Sequence, residues 1–111
     1  MPIKRGDVYW VNFDLSVGGE IQKTRPAIVI SNDAANLALN RVQVVPITSK
    51  VDRVYPGEAI VAIGGEKRKA MATQIATASK LRLGDKLGVL GADDIARVEA
   101  AIAIQLALHL K

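Results

Sequence analysis

A chain of 111 residues, half of them hydrophobic, is expected to make one compact domain over 1–111 with a true core. It has no cysteine, which excludes disulfides and thiolate metal sites. No stretch reads as a signal peptide or approaches the roughly 18 apolar residues of a membrane span, so a cytoplasmic protein with no membrane partner is expected. Net charge is +4, and 12 basic against 7 acidic side chains lie before Gly84, with 3 against 4 from there on. A basic body suits a polyanionic partner, although a solvated basic surface explains it equally well.

The elements follow in chain order. Val8-Tyr9-Trp10-Val11-Asn12-Phe13 is β-branched and aromatic, the composition of a half-buried strand. A glycine-rich loop follows at 16–20. Pro26-Ala27-Ile28-Val29-Ile30 predicts a short buried strand, and Ser31-Asn32-Asp33 an N-cap for one or two helical turns from Ala34 to Leu39. Arg41 to Ile47 predicts another strand, bulged or at an edge at Pro46, which has no N–H to donate. Lys50 to Gly57 reads as a polar connection. Glu58 to Ile63 and Lys69 to Thr77 flank Gly64-Gly65, a strong hairpin signal because both positions take positive φ. Leu81 to Leu90 reads as a turn-rich link. Ile95, Val98, Ile102, Gln105/Leu106 and His109 then follow the spacing of one helical face, with Gly91 as cap and Asp93 and Asp94 placed for the helix dipole. Short strands with one terminal helix predict a mostly β protein with α additions, a small antiparallel barrel.

Several chemistries are excluded. His109 is the single histidine, so a two-histidine nuclease within one chain is impossible and a Ser-His-Asp triad would require it to leave its helix face. The glycine pairs lack the lysine and serine spacing of a phosphate loop, and nothing supports a nucleotide cofactor. No metal or cofactor is therefore expected. Two polar residues stand where apolar strands begin or end: Arg25 before Pro26, and Thr48 after Ile47. A guanidinium is a planar fork suited to a phosphodiester, and a hydroxyl can complete the clamp. RNA carries its own nucleophile in the 2′-OH, so positioning and charge stabilisation suffice in principle. From spacing alone, a surface charge and a turn remain the plainer reading.

A resemblance changes that balance. Gly6-Asp7-Val8-Tyr9-Trp10-Val11, Gly19-Glu20, Lys23-Thr24-Arg25-Pro26-Ala27-Ile28-Val29-Ile30-Ser31 and Val44-Val45-Pro46-Ile47-Thr48-Ser49 resemble, in order and spacing, the signatures of MazF/PemK toxins. Gln74, Lys80 to Leu83, Leu87-Gly88 and the helix from Asp93 complete the pattern over nearly the whole chain. The resemblance implies an SH3-like barrel with a short internal helix and a C-terminal helix. It also implies a homodimer, and a sequence-specific endoribonuclease that cuts single-stranded RNA to 2′,3′-cyclic phosphate and 5′-hydroxyl ends. It implies that Arg25 is the main catalytic group, that Thr48 holds the scissile phosphate and that Glu20 orients Arg25 or takes the 2′-hydroxyl proton. Lys23, Thr24, Ser49 and Gln74 are the further candidates for RNA binding. The implied partner is an antitoxin whose acidic tail lies across the same basic groove. Leu15, Thr73 and Ser79 depart from the family pattern around that groove, not at Arg25 or Thr48.

Two other functions compete. Toxins of the same fold that bind DNA gyrase would use the C-terminal helix and dimer face and need neither Arg25 nor Thr48. A non-catalytic RNA-binding barrel would need aromatic stacking platforms. Only four aromatic residues are present, three of them in the first strand, where packing is the expected use.

Overall fold

The structure is a computed structural model that describes residues 2–13 and 23–109. Among the described residues there are seven antiparallel strands, the first four of them at predicted strands: β1 (Asp7–Asn12), β2 (Thr24–Val29), β3 (Arg41–Thr48), β4 (Glu58–Ile63), β5 (Glu66–Met71), β6 (Ala76–Ser79) and β7 (Leu83–Val89). Helix α1 (Asp33–Ala38) separates β2 from β3, and α2 (Ala92–Gln105) is the last regular element of the described residues. The strand order is β4-β5-β3-β2-β1-β7, with β6 also pairing β3. The sheet curls into a half-barrel that α2 covers from the β4 side, so the expected mostly β fold is the one observed.

Side chains alternate across each strand, and in β1, β2 and β3 both faces contribute to a core. Val8, Ile28, Val45, Ile47, Val61, Val98 and Ala101 form one core beneath α2. Tyr9, Val11, Val29, Val42 and Val44 form a second core on the opposite face. Neighbours Val44 and Val45 therefore serve different cores, which explains the unbroken apolar stretch from Val44 to Ile47 within β3.

The local signals at three junctions behave as the sequence predicts. Asn32 caps α1, its side chain accepting the Ala35 amide at 2.8 Å. Gly64 and Gly65, at φ +59° and +80°, close the β4–β5 hairpin between Ile63 and Glu66. Gly91 is the N-cap of α2. Gly6 adds a requirement of its own. It sits at φ +94°, and a Cβ there would lie 2.9 Å from Ile95 Cδ1. Its amide donates to Val29 O and its carbonyl accepts the Leu90 amide, joining the ends of β2 and β7 beneath the helix.

Four expectations are corrected. Strand β5 starts at Glu66 rather than Lys69, and a 3₁₀ turn at Ala72–Gln74 divides it from β6. Leu81 to Leu90 is not a link: after a 3₁₀ turn at Lys80–Arg82 it becomes β7, which pairs β1. Pro46 is buried in the interior of β3, neither at an edge nor exposed. The Gln43 carbonyl accepts Ile30 N and the Gln43 amide donates to Ser31 Oγ, so odd residues of β3 face the β2 side. The missing amide of Pro46 faces the other side, between Val44, paired to β6, and Ile47–Thr48, paired to β5. There the strand changes partner and no ladder bond is lost. Finally, the buried stripe of α2 is Asp94, Val98 and Ala101 with Ile95 and Ile102 packed beside it, whereas Gln105, Leu106 and His109 are exposed. Asp94 does more than favour the dipole: its carboxylate accepts the Ala62 amide at 2.9 Å and pairs with Arg97, fastening α2 to β4.

Candidate functional site

The first core opens to solvent at one end of the half-barrel. Along β1, β2 and β3 the apolar character fades as the strands run outward, and a groove of about 480 Å³ takes over. That volume suits a small ligand or one segment of a polymer. Arg25 and Thr24 come from the start of β2, Thr48 and Ser49 from the end of β3, and Lys23 from the residue before β2. Antiparallel pairing of β2 with β3 (Ala27↔Pro46) brings the first residues of one to the last residues of the other. Five of the seven candidate residues thus line one groove.

The other two stand apart. Gln74 ends the 3₁₀ turn after β5, is half-buried and does not line the groove. Glu20 lies outside the described residues.

The groove wall also holds residues that sequence reasoning passed over. Arg68 reaches it from β5, with its side chain paired to Glu66 Oε2 at 2.6 Å and donating to Lys67 O. Trp10 lines it from β1, with Leu87 from β7. The only charged groups on the described wall are Lys23, Arg25 and Arg68, all cationic, so the groove is a positive, partly apolar trough. No local signal marked Arg68, since it stands in a run of three cations and Lys69 and Ala70 after it are both buried.

Local geometry prepares the polar groups. Lys23 is held at φ +66°, and its carbonyl accepts the Phe13 amide at 2.9 Å, which sets the entry of β2. Thr48 Oγ1 accepts the Lys50 amide at 3.3 Å, which anchors the hydroxyl oxygen at the end of β3 and keeps its O–H as a donor. Lys69 pairs with Thr48 across the β3–β5 ladder. Its ammonium donates to Arg53 O at 2.9 Å and meets Glu58 Oε1 at 3.3 Å, and the same Glu58 oxygen accepts the Tyr55 amide. This buried pair ties down the connection that leaves Thr48. Tyr9, on the opposite face, has its phenol pushed above the ordinary value by burial first, and then by the Asp7 carboxylate that its hydroxyl faces at 3.4 Å.

A trough of three cations with a strand-end arginine and threonine, on a curled antiparallel sheet, is an arrangement fitted to a phosphodiester chain. Known proteins resemble the chain over nearly its whole length. Residues 4–106 match the model of the PemK-like, MazF-like toxins of type II toxin-antitoxin systems. Endoribonuclease MazF9 of Mycobacterium tuberculosis is 32% identical over 115 residues, covering 96% of this chain and 98% of the relative. Endoribonuclease EndoA of Bacillus subtilis is 34% identical over 113 residues, covering 97% of each. A solved endoribonuclease in complex with its cognate antitoxin, from Mycobacterial species, superposes with a TM-score of 0.80 at 27% identity, over 98% of this chain and 99% of that one. The chain belongs to the PemK-like, MazF-like toxin family of type II toxin-antitoxin systems.

Proposed function

We propose that this chain is a sequence-specific endoribonuclease that cuts single-stranded RNA without a metal ion, and that its toxicity arises from the loss of translatable RNA. The observation that carries this reading is the meeting of Arg25 and Thr48, from two different strands, in one cationic groove, in a chain that matches endoribonucleases from end to end.

The chemistry uses the substrate's own nucleophile. The 2′-oxygen attacks the adjacent phosphorus while its proton passes to a base. The 5′-oxygen then leaves and takes up a proton, giving a 2′,3′-cyclic phosphate and a 5′-hydroxyl. The costly species is the phosphorane, whose extra negative charge needs fixed donors. Arg25 supplies a charged, planar donor there, and the Thr48 hydroxyl donates to a non-bridging oxygen. Arginine is a poor base, so the 2′-hydroxyl proton is assigned to Glu20. Lys23, Thr24 and Ser49 hold the flanking backbone along the groove. Gln74 reaches RNA only where the strand runs beyond the groove wall. The absence of carboxylates from the described wall suits an anionic substrate.

The same field attracts an inhibitor. An antitoxin with an acidic C-terminal tail would compete with RNA for the three cations. A cytoplasmic homodimer completes the reading, with Leu81 and Val89 among the exposed apolar side chains available to a second copy.

The test is incubation of the purified protein with a long unstructured RNA in excess EDTA, beside Arg25→Ala, with the fragment ends mapped. Discrete cuts bearing 5′-hydroxyls, lost by a factor of at least ~100 in the variant, are expected. No cutting across RNAs of varied sequence overturns the nuclease and moves the gyrase-binding and RNA-binding alternatives ahead.

A further inference from the structure

Trp10 breaks the pattern of its strand. In β1, Val8, Tyr9 and Val11 are buried, yet Trp10 between them is 38% exposed. It is not at a frayed end, because β1 is paired on both sides, to β2 and to β7. On the β2 side its register partner is Pro26. On the β7 side the register slips: Tyr9 pairs with Lys86 and Val11 with Leu83, which leaves Gly84 and Asp85 together opposite Trp10. Such a bulge re-aims the side chain across from it and stiffens the local twist. Gly84 packs directly beneath the Trp10 stem: a Cβ there would sit in ordinary contact, 3.5 Å from Trp10 Cβ. The outcome is a large flat ring, on a backbone fixed from both edges, lining the groove that holds Arg25 and Thr48.

We propose that Trp10 is the stacking platform for one RNA base next to the scissile phosphate. Resting on the reading of this groove as an RNA site, the inference adds the surface that receives a base. Three groove cations draw the backbone in by charge alone, and charge does not orient a nucleotide. An indole face does, and it accepts any base because every base presents a π-face. Stacking therefore seats the strand, while hydrogen bonds from Thr24 or Ser49 are left to discriminate among sequences. An antitoxin side chain or a second copy of this chain would also seek an apolar ring; the RNA base is favoured because the ring shares its groove with Lys23, Arg25 and Arg68 and with no anionic group of the described wall, so a strand's phosphates are drawn to the same place.

Trp10 is the only tryptophan in the chain, so its emission reports this position directly. Full-length protein would be titrated with a single-stranded oligonucleotide carrying 2′-O-methyl groups, which binds but cannot be cut, and with an abasic backbone of equal length and charge. Saturable quenching by the first and little by the second are expected. In cleavage assays Trp10→Ala should lose roughly 5–100-fold, falling on KM rather than on kcat, with Trp10→Phe restoring most of it. Equal quenching by the abasic backbone overturns the proposal. So does a Trp10→Ala enzyme with unchanged KM, or emission that changes on dilution of the protein alone, which would mean that a second copy covers the ring. If Trp10→Ala fails to fold, the quenching comparison on the unaltered protein still decides. Quenching by the oligonucleotide without any cutting of ordinary RNA would refute the nuclease and leave the platform standing.

Discussion

Thr48 and Lys69 face each other across β3 and β5, and the Lys69 ammonium also grips the Arg53 carbonyl five residues beyond Thr48. Ladder pairing and side-chain bond together brace the chain at the groove's threonine and five residues after it. Glu58 completes the brace by neutralising Lys69 and holding the Tyr55 amide. Breaking a buried pair leaves the remaining charge without compensation, a loss larger than the net worth of the pair. Lys69→Met should therefore cost about 2–4 kcal/mol in urea unfolding and lower kcat through the loosened connection. Adding Glu58→Gln keeps an acceptor for Tyr55 while removing the stranded charge, and should recover most of that stability. A double variant as unstable as the single one would disprove the brace.

Arg68 tests the cationic groove. Its pairing with Glu66 is solvent-accessible and cheap to exchange for a phosphate. Log affinity for single-stranded RNA should fall with log salt at a slope near −0.7 per phosphate contacted. Arg68→Ala should make that slope less negative by about 0.7, leaving the preferred cleavage sequence unaltered. An unchanged slope would place Arg68 off the RNA path.

Tyr9 gives the chain a dependence on alkali. Because burial and Asp7 raise its pKa, the folded chain holds the phenolic proton more tightly than the unfolded chain. The stabilisation is full below the ordinary value of 10.0 and is lost as pH rises through the folded value. Thermal midpoints should decline faster above that point in the unaltered protein than in Tyr9→Phe, and phenolate absorbance should lag for one tyrosine. Parallel declines would refute the assignment.

Helix α2 ends in a Schellman turn built on an unusual residue. Ala107 sits at φ +56°, its amide donating to Ile104 O and the Leu108 amide to Ala103 O. Alanine pays for the left-handed conformation where glycine would not. Ala107→Gly should raise stability by about 0.5–1 kcal/mol in denaturant unfolding, with cleavage unaffected; a loss would mean that the turn is not formed in solution.

The sequence displayed what local chemistry controls. Asn32, the Gly64-Gly65 pair and the β-branched runs each announce themselves over a few residues. Strand β7 does not, because most of its side chains are exposed at the sheet edge and two are glycine, so no alternation betrays a strand held by its backbone bonds to β1. Pro46 misled for a related reason: only the long-range switch from β6 to β5 frees its position from a ladder bond. At the site, Arg25 and Thr48 were visible as polar residues at strand ends. Arg68 was hidden in a run of three cations whose fates differ. Lys67 faces solvent, Arg68 lines the groove and Lys69 is buried, a division set by β5 lying between β3 and β4. Trp10 was legible as a strand residue, but its exposure depends on the bulge in β7, which no local signal marks.

Lys23 has a consequence that concerns how such a protein can be improved. A lysine at φ +66° is strained, and glycine would relax the backbone at the mouth of β2. The same exchange would strip one of three cations from the groove. Firmness of fold and hold on a polyanion are thus opposed at a single position, and variants chosen only for heat resistance would drift toward a sturdier chain with a weaker grip.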